Sequence, residues 1–445
     1  VINDEPTNKL LNAYDKVLNL WKASVTSIFP AFHGRNAISN VFLNYLDIGK
    51  EALNPANHVF SANLINTHRK VESLYTDMFK AGEVGMKAKD EYFDAMMKPM
   101  FKDATGYDWS YGELIRVIKQ NNVAFNQGIV NSADIIKKES TVFDELFPKK
   151  GIASTVKKVA GAPFKFGQEV VGGTIENHSR LLNFITNLKK TGDPSLAAAR
   201  TKQFLFDYGN LTKFEKTFLR RIIPFYTFTR KNIELQVRTL LTTPGKTSQQ
   251  LTAIRTLGET LSGDNALTEE EKKALPDYIT SGTNVLRSKK GSLLSIYGSF
   301  GTPIEQPFQA FQPSAILGSV SPLLRVPVEQ MSGYSFYNGK ALSEVTNAGG
   351  YKNAPEAIKK LIGFKEVSWK NPKTGEYTKW YVSLRPEMMN VVNNLPMSGR
   401  VISSLKQMQN ENVAGQDRII QQILGTRPYS IDIEREMEKR EARSE

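Results

Sequence analysis

Three observations place this chain in the mainly α class, as a multi-helix protein of elongated or multi-unit build with one small β-hairpin in its C-terminal third. Apolar residues recur at helical spacing through most of the first 290 positions. Capping residues stand at the start of several of those runs. The one clear pair of β-prone runs is confined to positions 366–384.

In chain order, Leu10, Leu11, Tyr14, Val17, Leu18 and Trp21 share one helical face. After Pro30, RNAISNVFLNYLDIGKEAL predicts a helix ending near Asn54-Pro55, and residues 58–80 predict another. Asp108 or Ser110 can cap GELIRVIKQNN, and Asp193-Pro194 opens SLAAARTKQFLFDY with proline at the favoured first position. Thr212-x-x-Glu215 and Thr268-x-x-Glu271 read as capping boxes. Glycine and proline then become frequent, which predicts a long irregular connection over 291–327. EVSWK and YTKWYVSL, joined by NPKTGE, predict the hairpin, with Trp369 and Trp380 paired across it. Helix returns with SGRVISSLKQMQ and with DIEREMEKREARSE. The expected units are a helical unit at 1–150, a basic helical unit with a proline-kinked helix at 151–290, and a third unit at 291–445.

Composition narrows the function classes. Hydrophobic residues make up 40% and charged residues 23% of the 445, which excludes a compositionally disordered chain. The net charge of +13 favours polyanionic surroundings such as nucleic acid or anionic lipid. Cysteine is absent, so disulfides, thiol nucleophiles and thiolate metal sites are excluded, while the redox compartment stays open. The chain starts at Val1 without a signal-type apolar run, which suggests a processed chain or a piece of a longer one. The longest uncharged stretch, QPFQAFQPSAILGSVSPLL, holds three prolines and reads as an irregular surface loop, not a spanning helix.

Catalytic patterns are missing. TTPGKTS resembles a phosphate-binding loop only in part, because Leu240 stands where the first glycine belongs. His33, His58, His68 and His178 form no metal-binding spacing, which leaves neutral hydrogen-bonding or surface roles. The expectation is a non-enzyme with no cofactor, no metal and no small-molecule substrate.

Two segments invite a binding role. In GIASTVKKVAGAPFKFGQEVVGG, Ile152, Val156 and Val159 lie at helical spacing with Lys157 and Lys158 off that line, as in a membrane-interface segment; a packed surface helix is the plainer alternative. In FLRRIIPFYTFTRKNIELQ, Pro224 should kink or end a helix whose stripe is Phe214, Phe218, Ile222 and Phe225. A second helix should run from about Tyr226 to Thr239. Arg220 and Arg221 then meet a helix C-terminus, whereas Arg230 and Lys231 stand near a helix start, where the dipole offers them nothing. All four are candidates for polyanion contact, beside the reading of the stripe as core.

IFPAFHGRNAISNVFLNYL, RRIIPFYTFTRKN and SPLLRVPVEQMSGYSFYNGKAL, about an eighth of the chain, together resemble stretches in very large, helix-rich virion proteins of tailed bacteriophages. The resemblance implies an internal or ejection protein, carried in the capsid or portal region and released with the genome into the host envelope. It implies homo-oligomers, other virion proteins as partners, non-specific DNA contact and peripheral membrane contact. A static protein of the head, portal or tail is the alternative. A helical spacer beside a catalytic domain elsewhere is another.

Overall fold

The computed structural model describes residues 30–125, 173–207, 211–262 and 313–394 with a few gaps. It also describes scattered positions between 11 and 22 and short pieces at 283–287, 293–296, 303–304 and 428–431. The described residues are mainly α-helical.

α1 (Pro30–Ile48) runs into a 3₁₀ turn, Gly49–Leu53. Asn54 then caps α2 (Pro55–Asp77), its side chain accepting from Ala56 N at 3.0 Å while Pro55 fills the first helical position. α3 (Glu83–Met97) packs on α2 and leads into a two-stranded sheet, β1 (Pro99–Lys102) and β2 (Asp108–Ser110). Asp103 ties that hairpin by accepting from Thr105 N, Thr105 Oγ1, Tyr107 N and Trp109 Nε1. The bonds from Thr105 and Trp109 hold its carboxyl down to about 2. Of the two candidate caps for α4 (Tyr111–Gln120), Ser110 does the work in a complete capping box with Glu113.

α5 (Gly173–Thr191) and α6 (Pro194–Phe204, capped by Asp193) complete the main core. Leu64, Leu114, Ile118, Leu181, Phe184 and Leu188 are fully buried in it. Residues 60–125 and 181–198 thus contribute to one core. Gly192 ends α5 at φ +68, and a Cβ there would meet Thr105 Cγ2 at 2.7 Å. Gly192→Ala is therefore expected to cost about 1–2 kcal/mol or more, read as a lower thermal midpoint.

The C-terminal part departs from expectation. Most of the supposed irregular connection over 313–327 is helical: α9 (Pro313–Ser319) and α10 (Pro322–Ser332). Pro313 and Pro322 are the first residues of these helices, where a missing N–H costs nothing, so the prolines mark starts and not breaks. The hairpin exists as β7 (Phe364–Lys370) with β8 (Tyr377–Ser383), but Trp369 faces Thr378 and Trp380 faces Val367. The two tryptophans are diagonal neighbours, not a direct pair.

Nor is that the one small sheet. β3 (Thr283–Arg287), β4 (Leu293–Ile296) and β9 (Pro428–Ile431) form a three-stranded antiparallel sheet, and β5 (Tyr334–Ser335) pairs with β6 (Lys340–Ala341). These strands are two to five residues long, too short for period-2 alternation to stand out.

Beside the hairpin, α11 (Glu356–Ile362) and α12 (Pro386–Asn394) close a small core of Ala348, Tyr351, Ala354, Ile362, Met389 and Val392. Glu329, fully buried on α10, accepts from Phe336 N at 2.7 Å and from Asn390 Nδ2 at 2.9 Å, which fixes α10 to this core. The Thr268 capping box and the two C-terminal helices expected from sequence lie outside the described residues.

Candidate functional site: the Pro224 elbow

The capping box at Thr212 forms as read: Thr212 N donates to Glu215 Oε2 at 2.8 Å, and Glu215 N donates to Thr212 Oγ1 at 3.2 Å. The turn that follows, Glu215–Leu219, is π-helical, and a single α turn, Arg220–Ile222, comes after it. Ile223 is extended at φ −113, ψ 104, and α7 (Tyr226–Thr242) begins beyond Pro224, followed by α8 (Pro244–Ser262). The expected break and the expected second helix are both present.

Pro224 has no N–H, and the chain turns away after it, so the last helical carbonyls need other donors. Each finds one. The carbonyl of Arg220 accepts from Lys22 Nζ at 3.4 Å and that of Arg221 from Tyr14 Oη at 2.7 Å. The carbonyl of Ile222 accepts from Ser321 N at 2.6 Å, at the start of α10. Tyr14, Asp15, Trp21 and Lys22 are spaced to share one helical face. Asp15 binds the Arg221 guanidinium through two bonds, at 2.7 and 2.6 Å, and Trp21 lies 6.3 Å from Phe225, ring centre to ring centre. Burial, with the Arg220 charge second, brings the Lys22 ammonium down to about 8.

Three stretches, within 30–46, 220–235 and at the start of α10, converge on this junction. Leu43 and Leu46 of α1 pack with Phe228 and Leu235 of α7. The elbow receives the N–H of Ser321. They lie far apart in sequence, and their meeting could not be read from it.

The four candidate cations divide into two classes. Arg221 is committed to Asp15, and Arg230 to Glu215 at 2.8 Å with Glu234 at 3.4 Å. Tyr226 Oη also donates to Glu215 at 2.9 Å, and the Thr212 bonds hold the Glu215 carboxyl below its ordinary range. A cation near the start of α7 thus has an internal reason, the carboxylate across the elbow. Arg220 is exposed and Lys231 half-buried, and neither has an ion pair among the described residues.

The aromatic stripe faces the other way from the core reading. Phe214 is 61% exposed, Phe218 53% and Phe225 40%, and the rings of Phe214 and Phe218 stack at 5.4 Å and 27°. The wider π turn rotates the segment, so that Glu215 and Pro224 point inward and the phenylalanines outward. Lys213, Lys216 and Arg220 are exposed within the same short stretch. Stacked rings among cations can hold the bases and phosphates of a polyanion.

The segment with Ile152, Val156, Lys157, Lys158 and Val159 lies outside the described residues. No group of three metal-ligating side chains occurs among the described residues, and no helix among them is long and apolar enough to cross a membrane.

Sequence reasoning missed a second site, a cleft of about 390 Å³ between α2, α3 and α4. His68 Nδ1 lies 2.9 Å from Tyr111 Oη, and its Nε2 lies 3.6 Å from Glu72 Oε1, which Lys119 Nζ approaches at 3.0 Å. Burial, reinforced by Lys119, holds His68 down to about 4, so the ring is neutral and accepts the Tyr111 proton at Nδ1. A lone histidine on a helix gave no signal, because its partner is 43 positions away.

No family model matches this chain, and neither a curated protein nor a solved structure matches it.

Proposed function

We propose that this chain is a non-enzymatic virion protein of the internal, ejection type from a tailed bacteriophage, which travels with the genome and helps its delivery through the host envelope. The reading rests on the resemblance of the three segments. The observation that carries it is the outward face of the elbow, where the Phe214–Phe218 stack sits among Lys213, Lys216 and Arg220. Exposed rings cost solvation in an isolated chain and become useful against bases, while the cations displace counterions from phosphates. The net charge of +13 suits the same surroundings.

Fluorescence anisotropy with a single-stranded oligonucleotide across a salt series tests the contact. Reversing Lys216 and Arg220 to glutamate should weaken binding and lower the salt slope by about 1 to 2, the share of two phosphate contacts. Arg221→Ala should instead lower the melting temperature and leave the slope unchanged, because Asp15 already holds that side chain. Unchanged binding by the double reversal would remove the elbow from the proposal.

A second reading, a fixed part of the particle, draws on a different observation. Leu324, Val328 and Met331 form an outward stripe on α10, with Met331 89% exposed, and Val237, Leu240 and Leu241 do the same on α7. Apolar stripes of this kind suit permanent contacts with other subunits.

A further inference from the structure

We propose that the cleft between α2, α3 and α4 binds a small anion carrying an aromatic ring, an aryl phosphate or aryl carboxylate. This inference is independent of the elbow and of the virion reading. The cleft, at about 390 Å³, is of the size that small-molecule sites have. Its walls are aromatic: Tyr75 and Tyr92 stand 5.7 Å apart between ring centres at 52°, and Tyr111 closes the inner side. Tyr75 is 48% exposed although it lies beside other rings, so one wall still presents apolar surface to the opening.

The polar groups of the cleft differ in availability. The Tyr111 hydroxyl is spent on His68, and Glu72 is answered by Lys119. Arg116 lines the same cleft, is exposed, and has no ion pair among the described residues. With His68 neutral, Glu72 and Lys119 cancel among the lining residues, and Arg116 supplies the remaining cation, the neighbouring Glu113 being engaged by Ser110 and Tyr107. A planar guanidinium suits a carboxylate or phosphate through two parallel bonds. Ring walls with a cation at the rim specify a ligand with a flat apolar body and an anionic end.

One edge of the cleft is a close approach of two of its lining residues. Gly112 sits at the junction of α3 and α4, where an added Cβ would come within 2.9 Å of Met96 Cε and 3.0 Å of the Met96 carbonyl. The helices therefore meet at Gly112 and Met96, which line the cleft together with the tyrosines.

Calorimetric titration of the full chain decides the matter, with phenyl phosphate and benzoate as probes against inorganic phosphate and phenol. At least one ring-bearing anion should bind about tenfold more tightly than either fragment, since it makes both contacts at once. Phenyl phosphate alone succeeding would assign phosphate as the anionic end, and benzoate alone would assign carboxylate. Arg116→Ala should remove about tenfold of that affinity and leave the melting temperature nearly unchanged, because the exposed side chain makes no ion pair among the described residues. Tyr75→Ala should weaken both ring-bearing probes and leave inorganic phosphate unaffected. Equal affinity for phosphate and phenyl phosphate, absence of binding by both ring-bearing probes, or indifference to Arg116→Ala would each overturn the assignment.

Discussion

Replacing Asp47 with alanine is expected to destabilise the main core by about 1–3 kcal/mol, the cost of leaving a buried donor without its acceptor. Its carboxylate is fully buried at the end of α1. It accepts from Asn183 Nδ2 at 3.0 Å, from Asn187 Nδ2 at 2.7 Å and from the Arg200 guanidinium. One side chain thus binds α1, α5 and α6 together. Without it, the buried Asn183 amide loses its acceptor and cannot reach water, while Asn187 Nδ2 is left with Asn183 O and Oδ1. Arg200→Ala should cost much less, because Arg200 is 43% exposed and Asp47 would keep both asparagines. Denaturant unfolding followed by circular dichroism measures both variants. Equal losses would mean that the ion pair, and not the amide cage, holds the junction.

The second large effect is a loss of stability in acid. His68 has an ordinary value near 6.5 that burial and Lys119 bring down to about 4 in the fold. Between those two values the unfolded chain takes up a proton that the folded chain refuses, so stability falls as pH drops through the window and is fully present above it. The loss by pH 4 from this side chain is about 3 kcal/mol. His178 adds in the same direction. Burial and the neighbouring His58, whose Nδ1 lies 2.9 Å from His178 Nε2, keep it below its usual range. His58 Nε2 faces the Ala52 carbonyl at 2.8 Å, so it carries the proton, and His178 donates the one between the rings. Unfolding free energies measured from pH 7 to pH 4 for the native chain and for His68→Gln should differ in slope by up to one proton. Parallel curves would mean that His68 titrates normally.

What the sequence made legible was local. The Ser110–Glu113 box, Asp193-Pro194 and the break at Pro224 each depend on residues within four positions, and each forms. Failures came where the reading was regional or long-range. Proline density over 313–327 suggested a loop, yet Pro313 and Pro322 open helices. The stripe from Phe214 to Phe225 assumed 3.6 residues per turn, and the π turn at Glu215–Leu219 undid that assumption. The buried centres could not be read at all: Asp47 meets residues 136 to 153 positions away, and His58 meets His178 across 120. The elbow cations were found by composition, but which of them are free was decided by Asp15 and Glu215, which no spacing rule connects to them.

The central claim, that this chain leaves the particle with the genome, is tested most directly by quantitative mass spectrometry of purified particles before and after triggered genome release. The account predicts that the chain is present in full particles and depleted from emptied ones. Retention at full copy number would contradict it and make the elbow and the apolar stripes of α7 and α10 fixed interfaces. Absence from particles of either kind would contradict the virion reading altogether.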